Sequence, residues 1–181
     1  MKEAEIINVN YRGSINDSLN LHDLKLLFPN SKLSMNPFQL TVKDEKGTML
    51  FFRTGKFRLM GFKSENDLDA MLLVNKYTCL LTNNVPSLIL QSMTVKAKFE
   101  HCLNLYMLSY LIPESILELE LFPALTIHKY KPIKVNVFAS GTIIMCGIKD
   151  YSFSNVILKE LKPFLCECVH KCQSTVKLEV I

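Results

Sequence analysis

The sequence has few of the local patterns that identify enzymes. It contains only six glycines, and none of them forms a glycine-rich phosphate-binding loop. A nucleophile elbow and a pair of carboxylates with a basic partner are also missing. His22, His101 and His128 have no neighbours at metal-ligand spacing. The sequence therefore predicts a protein that is not an enzyme, that uses no cofactor and that has no small-molecule substrate.

Long apolar runs and a disulfide framework are missing too. The opening Met-Lys-Glu-Ala-Glu has no apolar segment, and no run is long enough to span a bilayer. The six cysteines lack framework spacing, so we expect an intracellular protein with reduced thiols and no membrane partner. Cys166, Cys168, His170 and Cys172 alternate with single residues, whereas zinc knuckles have wider gaps, so we predict no metal site.

Length and charge set broad limits on the fold and its partners. A chain of 181 residues with 49% hydrophobic content can bury a core and is expected to form one domain over residues 1–181. The net charge is +4, with +2 in each half. A modest positive charge permits a polyanionic partner without requiring one.

The chain contains the same unit twice. Residues 19–31 match residues 103–115 at an offset of 84, which also relates Phe38 to Phe122, and the offset grows to 86 between Phe52 and Phe138. Two copies with so long a period indicate one pseudo-symmetric domain rather than a solenoid. We place the first repeat at 5–84, the second at 85–166 and a C-terminal tail at 167–181.

Each copy has the pattern strand, short helix, several strands, long helix. In the first copy, Asn16-Asp17-Ser18 precedes a helical stripe of Leu19, Leu21, Leu24, Leu27 and Phe28, and the helix after Ser64 is expected to bury Leu68, Leu72 and Leu80. The last helix, about 151–166, is expected to present Phe153, Ile157, Leu161 and Phe164 on one side. Strands are predicted at 5–15, 38–43, 48–53, 56–61, 88–99, 122–130, 133–139 and 142–147. The pattern favours an α+β fold with an antiparallel sheet and helices on one face.

The strand face opposite the helices has an unusual composition. Amides, cations and large apolar side chains alternate with the apolar residues of the predicted core. Most phenylalanines in strands belong to a core, but Phe52 and Phe138 have the opposite parity from Phe51 and Phe57. A face both apolar and cationic suits nucleic acid. It carries Asn8, Asn10, Arg12, Leu50, Phe52, Arg58, Met60, Ser92, Thr94, Lys96, Lys134, Asn136, Phe138, Ile144 and Cys146.

The chain resembles the TATA-box-binding proteins (TBPs) from about residue 5 to residue 165. The most specific segment is 118–147, which is similar to the family's glutamate-x-glutamate-leucine-phenylalanine-proline stirrup, its hairpin and its closing glycine-x-lysine. The resemblance implies a pseudo-two-fold saddle, in which a curved antiparallel sheet straddles the DNA minor groove and helices cover the convex side. It also implies aromatic wedges, which enter between base pairs, at Phe38, Phe52, Phe122 and Phe138. By the same resemblance Asn8 and Ser92 lie at the centre, and Glu118, Glu120 and Leu121 contact transcription factor IIB.

Several positions depart from the family pattern. The family has valine or leucine where this chain has Asn10, Arg58, Thr94, Lys134 and Asn136, and it has threonine at the positions of Met60 and Cys146. Polar groups in place of apolar ones argue against a strict preference for a TATA element, whereas attraction to the DNA backbone could be greater.

These observations predict a transcription initiation factor that binds and bends A·T-rich promoter DNA and recruits a factor IIB-like protein and RNA polymerase. The expected location is the nucleus or a cytoplasmic site of viral transcription. One alternative is a protein-interaction module that has kept the fold without binding DNA. Another is an accessory to a nucleic-acid enzyme, against which the lack of any extra domain argues.

Overall fold

A computed structural model describes residues 2–64, 67–82 and 86–178, and the side chains of residues 2, 3, 67 and 172–178 lie outside that description. Ten strands and four α-helices occupy the described part. The strands are β1 (Lys2–Ser14), β2 (Lys32–Met35), β3 (Phe38–Lys43), β4 (Thr48–Phe52), β5 (Lys56–Phe62), β6 (Ser87–Lys98), β7 (Ser115–Leu117), β8 (Ala124–Ile127), β9 (Lys134–Phe138) and β10 (Thr142–Ile148). The helices are α1 (Leu21–Leu27), α2 (Asp67–Thr78), α3 (Leu105–Leu111) and α4 (Ser152–Leu178).

The chain forms two compact units. The first unit comprises residues 7–92, and the second combines the residues up to Ile6 with those from Met93 onward. Strands run in the order β2-β3-β4-β5-β1 in the first unit and β6-β10-β9-β8-β7 in the second. All of their described pairings are antiparallel. The predicted α+β class with an antiparallel sheet is confirmed.

Each unit buries one face of its strands under its helices. Phe28, just after α1, stacks on Phe51 of β4 with ring centroids 6.2 Å apart, and Tyr77 of α2 packs edge-on against Phe28. In the second unit α4 packs against α3 and β10. Leu40, Met49 and Leu59 in the first unit and Leu125, Val137 and Met145 in the second are completely buried. Burial of alternate strand residues is what the period of two predicts for a half-covered sheet.

The two copies begin their short helices in the same way. Asn20 accepts a hydrogen bond from the amide of His22, and Asn104 accepts one from the amide of Met107. The helix start was therefore predicted a few residues too early, at Asn16-Asp17-Ser18. Asn16 instead has a positive φ of 61°, which is incompatible with a helical first turn.

The predicted helix faces were partly wrong. Leu68, Leu72 and Leu80 are exposed, and the buried stripe of α2 is Ala70, Leu73 and Val74. Leu27 of α1 and Phe153 of α4 are exposed as well. Because α2 is rich in leucine all round, the sequence pattern could not fix its rotation, and packing against β5 does so.

The last helix runs to Leu178 rather than ending near 166. Its buried stripe continues from Ile157 and Leu161 through Leu165 to Cys168, one helical turn after another. Cys168 is completely buried, with its thiol 3.5 Å from the backbone oxygen of Asn104. The side chain of Cys172 lies outside the described residues.

Candidate nucleic-acid interface

The side chains that alternate with the core form what we call the open face of each unit. In the first unit, strand pairing places Thr41 opposite Leu50, Leu50 opposite Arg58, and Arg58 opposite Arg12. In the second unit, it places Thr126 opposite Asn136, Asn136 opposite Ile144, and Ile144 opposite Lys96. Because directly paired residues share a face, each row crosses its unit on one side. Within each unit, the strands thus place the residues that the sequence analysis assigned to the nucleic-acid-binding face on one side.

Two arginines lie side by side on the open face of the first unit. Arg12 and Arg58 are directly paired, and both side chains are exposed. The guanidinium of Arg58 lies 5.9 Å from the ring centroid of Phe52, within the range of a cation–π interaction. Like charges at directly paired positions destabilise a sheet. The arrangement is therefore suited to an anionic ligand that would relieve the repulsion.

A pair of phenylalanines occupies the open face of the second unit. The rings of Phe122 and Phe138 lie 5.9 Å apart at an interplanar angle of 64°. Phe122 keeps 41% of its surface exposed, and Phe138 is half-buried opposite Ala124. Lys134, exposed on the same face, lines a pocket of about 210 Å³ together with Phe122. Two accessible rings beside a cation can contact both bases and phosphates.

Phe38 occupies a different position from Phe122. Gln39 pairs with Phe52 just as Ala124 pairs with Phe138, so the residue equivalent to Phe122 is Pro37. The repeat offset in this strand is therefore 85, whereas the sequence comparison gave 84 for Phe38. Phe38 has the parity of the core residue Leu40, and its ring lies 6.0 Å from His22, which belongs to α1. It also lines a pocket of about 500 Å³ shared with Phe52 and Arg58.

The side chains of Asn8 and Asn10, near the beginning of the first unit, belong to a hydrogen-bond network. Asn8 accepts a hydrogen bond from the amide of Gly61 at 2.8 Å and donates one to Asn10 at 3.1 Å. Asn10 in turn donates to the hydroxyl of Ser92 at 3.5 Å. The side-chain oxygen of Asn8 therefore already accepts a hydrogen bond within the protein. This network fixes the orientation of both amides on the open face.

The remaining predicted contacts differ in accessibility. Asn136 is buried, and its side-chain oxygen accepts a hydrogen bond from Thr126 at 3.0 Å. Lys96 forms an exposed ion pair with Glu5 at 3.4 Å. Leu50, Met60, Thr94, Ile144 and Cys146 are half-buried in the strands of the same faces. In the described part of the chain, no ion pair is found for Arg12, Arg58 or Lys134.

The segment before Phe122 forms an exposed turn. The backbone oxygen of Glu118 accepts hydrogen bonds from the amides of Leu121 and Phe122, at 3.0 and 2.9 Å. Glu118 and Glu120 are exposed, and Leu121 is 82% exposed. A tight turn thus presents Leu121 directly after two solvent-accessible carboxylates.

Sequence analysis missed two edge strands and the open-face residues that they introduce. Because β2 and β7 have four and three residues, their alternation is too short to detect. Pairing of these two strands with β3 and β8 adds Lys32, Ser34 and Ile116 to the open faces. The period of two along the other strands was the signal for further open-face residues that the sequence analysis did not assign. These are Gln39, Thr41, Lys43, Lys56, Lys98, Thr126 and His128.

Two carboxylates with lowered pKa values belong to the structural scaffold. Hydrogen bonding from Lys76 holds the pKa of Asp44 at about 2, and hydrogen bonding from Lys129 lowers that of Glu160. Burial raises the pKa of Tyr130, which donates to Glu160, to about 12. Within the described residues, no group of three or more potential ligands could hold a metal ion. Nor is any described helix long and apolar enough to cross a membrane.

Comparison with known proteins connects this geometry to one family. No protein-family model matches the chain. The TATA-box-binding protein of Methanococcus aeolicus is 29% identical over 170 residues, covering 88% of this chain and 92% of the relative. That of Sulfolobus acidocaldarius is 25% identical over 155 residues, covering 81% and 78%. A solved structure of Methanococcus jannaschii TBP superposes with a TM-score of 0.77 at 25% identity, covering 92% of this chain and 99% of that one. The chain is a TBP-like protein.

The similarity to TBPs extends over most of the chain and includes both repeats. The similarity to TBPs supports a general role in transcription initiation. The relatives named above are archaeal, and the nuclear location expected from the sequence stays a prediction. The roles of individual open-face residues also stay predictions.

Proposed function

We propose that this TBP-like protein binds duplex DNA through the open faces of both units and bends it from the minor groove. The observation that carries the proposal is the pairing of accessible aromatic rings with exposed cations on each face. Phe122, whose ring contacts that of Phe138, lines a pocket with Lys134. The ring of Phe52 lies against Arg58, which is directly paired with Arg12. Apolar rings can insert at base steps while the cations neutralise phosphates.

The polar composition of the open faces supports weak sequence preference. The minor groove distinguishes A·T from G·C pairs chiefly by the amino group of guanine. Leu50 and Ile144 offer apolar contact, whereas Arg58 and Lys134 are attracted to any sequence. We therefore expect A·T-rich duplexes that contain flexible TA steps to be favoured through their ease of deformation rather than through a strict TATA element.

The test combines binding and bending on the same molecules. Fluorescence anisotropy measures affinity for an A·T-rich and a G·C-rich duplex over a salt series, and energy transfer between end labels measures the bend. We expect affinity to fall steeply with salt and the A·T-rich duplex to shorten end to end. The double substitution Phe122→Ala and Phe138→Ala should abolish bending and leave the fold intact. Phe153→Ala, an exposed phenylalanine on α4, is the matched control.

Two results would contradict the proposal. Failure to bind either duplex at low salt would favour the protein-interaction module, whose open faces would then be screened against acidic peptides and proteins. Unfolding of the Phe122/Phe138 variant, measured by circular dichroism, would assign these rings to the core instead of to DNA.

We further propose that the turn at 118–121 recruits a factor IIB-like protein, which in turn brings RNA polymerase. The exposed Leu121 provides an apolar anchor, and the preceding Glu118 and Glu120 add charge beside it. The substitution Leu121→Ala should weaken a ternary complex of DNA, this protein and purified factor IIB in a mobility-shift assay, without changing binary DNA binding. Glu118→Lys should weaken the same ternary complex. Glu45→Lys, in an exposed turn of the first unit, makes the same change of charge elsewhere and is its control.

A further inference from the structure

Strand pairing gives an exact equivalence between the open faces of the two units. Phe52 corresponds to Phe138, because their partners Gln39 and Ala124 occupy the same place in β3 and β8. Leu50 and Asn136 lie two residues before these phenylalanines in β4 and β9. Leu50 pairs with Arg58 of β5, and Asn136 pairs with Ile144 of β10. Arg58 therefore occupies the position of Ile144.

The second unit surrounds its inner phenylalanine with apolar groups. Phe138 packs edge-on against Phe122, and Ile144 is the half-buried neighbour that the equivalence places near it. Lys134 lines a pocket with Phe122, but among the described residues no cation lies over the ring of Phe122 or Phe138. Neither ring therefore has to displace a cation from its own face to enter a stack of base pairs.

The first unit surrounds the equivalent phenylalanine with charge. The guanidinium of Arg58 lies over the ring of Phe52, Arg12 is directly paired with Arg58, and Pro37 stands where the second unit has Phe122. Inserting Phe52 between bases would require Arg58 to be displaced or dehydrated, which is costly for an ion. Arginine in the minor groove instead favours a narrow groove with its enhanced negative potential.

We infer that the two units contact DNA differently: the second unit unstacks the duplex with Phe122 and Phe138, whereas the first holds it through Arg58 and Arg12 without inserting a ring. The inference rests on the proposed function, because it divides the work of DNA binding between the two open faces. The second unit therefore kinks the DNA that it contacts, whereas the first unit holds DNA by its phosphates and groove edge.

The experiment measures unstacking and binding separately on one A·T-rich duplex. 2-Aminopurine, whose fluorescence rises when it loses its stacking neighbours, replaces adenine at each position of the site in turn. Anisotropy of an end label on the same duplex reports binding. The variants are Phe138→Ala and Phe122→Ala in the second unit, and Phe52→Ala and Arg58→Ala in the first.

We expect the rise in 2-aminopurine fluorescence to be absent with Phe138→Ala and present with Phe52→Ala. Both variants should still bind the duplex. Phe122→Ala, at a more exposed ring, should also reduce the 2-aminopurine signal. This variant replaces Phe138→Ala in the test if Phe138→Ala does not fold. Arg58→Ala should keep the signal and lower the slope of log affinity against log salt by about 1. The substitution Arg58→Ile, which gives the first unit the residue of the second, should add unstacking at new positions.

Equal loss of signal in Phe52→Ala and Phe138→Ala, with binding kept, would overturn the inference and leave the proposed function standing. So would an unchanged salt slope in Arg58→Ala. Absence of binding by the unsubstituted protein at low salt would overturn the proposed function and this division of labour together.

Discussion

Asp44, in the turn between β3 and β4, links a strand pair to helix α2 through its carboxylate. It accepts hydrogen bonds from Lys76 at 2.6 Å and Tyr77 at 2.9 Å, and from the amide of Lys46 at 3.2 Å. The hydrogen bond from Lys76 contributes most to holding the pKa of Asp44 at about 2, well below its usual value. A pKa lower in the folded than in the unfolded protein stabilises the fold above the unfolded value and loses that effect as the pH falls.

We therefore expect Asp44→Asn to lower the free energy of unfolding by on the order of 1 kcal/mol at pH 7. The difference from the unsubstituted protein should shrink as the pH falls from about 4 through about 2, because the carboxylate becomes protonated first in the unfolded and then in the folded protein. Urea denaturation over that pH range measures it. Asp69→Asn is the control, because the Lys46–Asp69 ion pair is exposed on both sides and should contribute little. A difference that stays constant with pH would contradict this account.

Arg58 and Phe38 show how well the sequence predicted the position of a single residue in the sheet. The parity of β5 correctly placed Arg58 opposite the core, but only the pairing with Arg12 and the contact with Phe52 make it a member of a site. Phe38 was placed by repeat offset, and a shift of one residue in β3 moves it away from equivalence with Phe122. A slip of one position reverses the face of a strand residue, so an offset between repeats is too coarse to assign it.

At the scale of elements, the rotation of α2 about its axis is the feature that the sequence did not determine. Leu73 is almost completely buried, whereas its neighbour Leu72 is 49% exposed. We expect Leu73→Ala to destabilise the protein by about 2–5 kcal/mol, the usual cost of emptying a buried leucine site. Leu72→Ala should cost less than about 1 kcal/mol.

Thermal or urea denaturation of these two variants distinguishes the observed rotation from the one predicted by the sequence. The substitutions remove the same atoms from the same helix, so helix propensity cancels between them. The reverse order of stabilities would mean that α2 packs through Leu68 and Leu72 after all.

At the scale of the whole molecule, the proposed DNA binding depends on positive charge on both open faces. Arg58 and Lys134 lie in different units, and neither has an ion-pair partner within the described residues. Because phosphate contacts are independent of sequence, each charge reversal, Arg58→Glu or Lys134→Glu, should weaken binding to A·T-rich and G·C-rich duplexes alike.

The control for these reversals is Lys159→Glu, an exposed position on α4 away from the open faces. Titrations at several salt concentrations should show a reduced salt slope for the two open-face variants and an unchanged slope for the control. Weakening that is confined to one duplex would instead point to base contacts at these residues.

The sequence by itself determined the two copies, the α+β class and the face of nearly every strand, because each of these follows from a local period or a repeated segment. It also showed the likeness to TBPs, which implied a partner contact at Glu118, Glu120 and Leu121. Tertiary structure alone decided the rotation of α2, the edge strands β2 and β7 and the length of α4, since each depends on which surface an element packs against. Strand pairing likewise decided that Phe52 lies beside arginine and Phe138 beside phenylalanine, because register is set between strands and not along one.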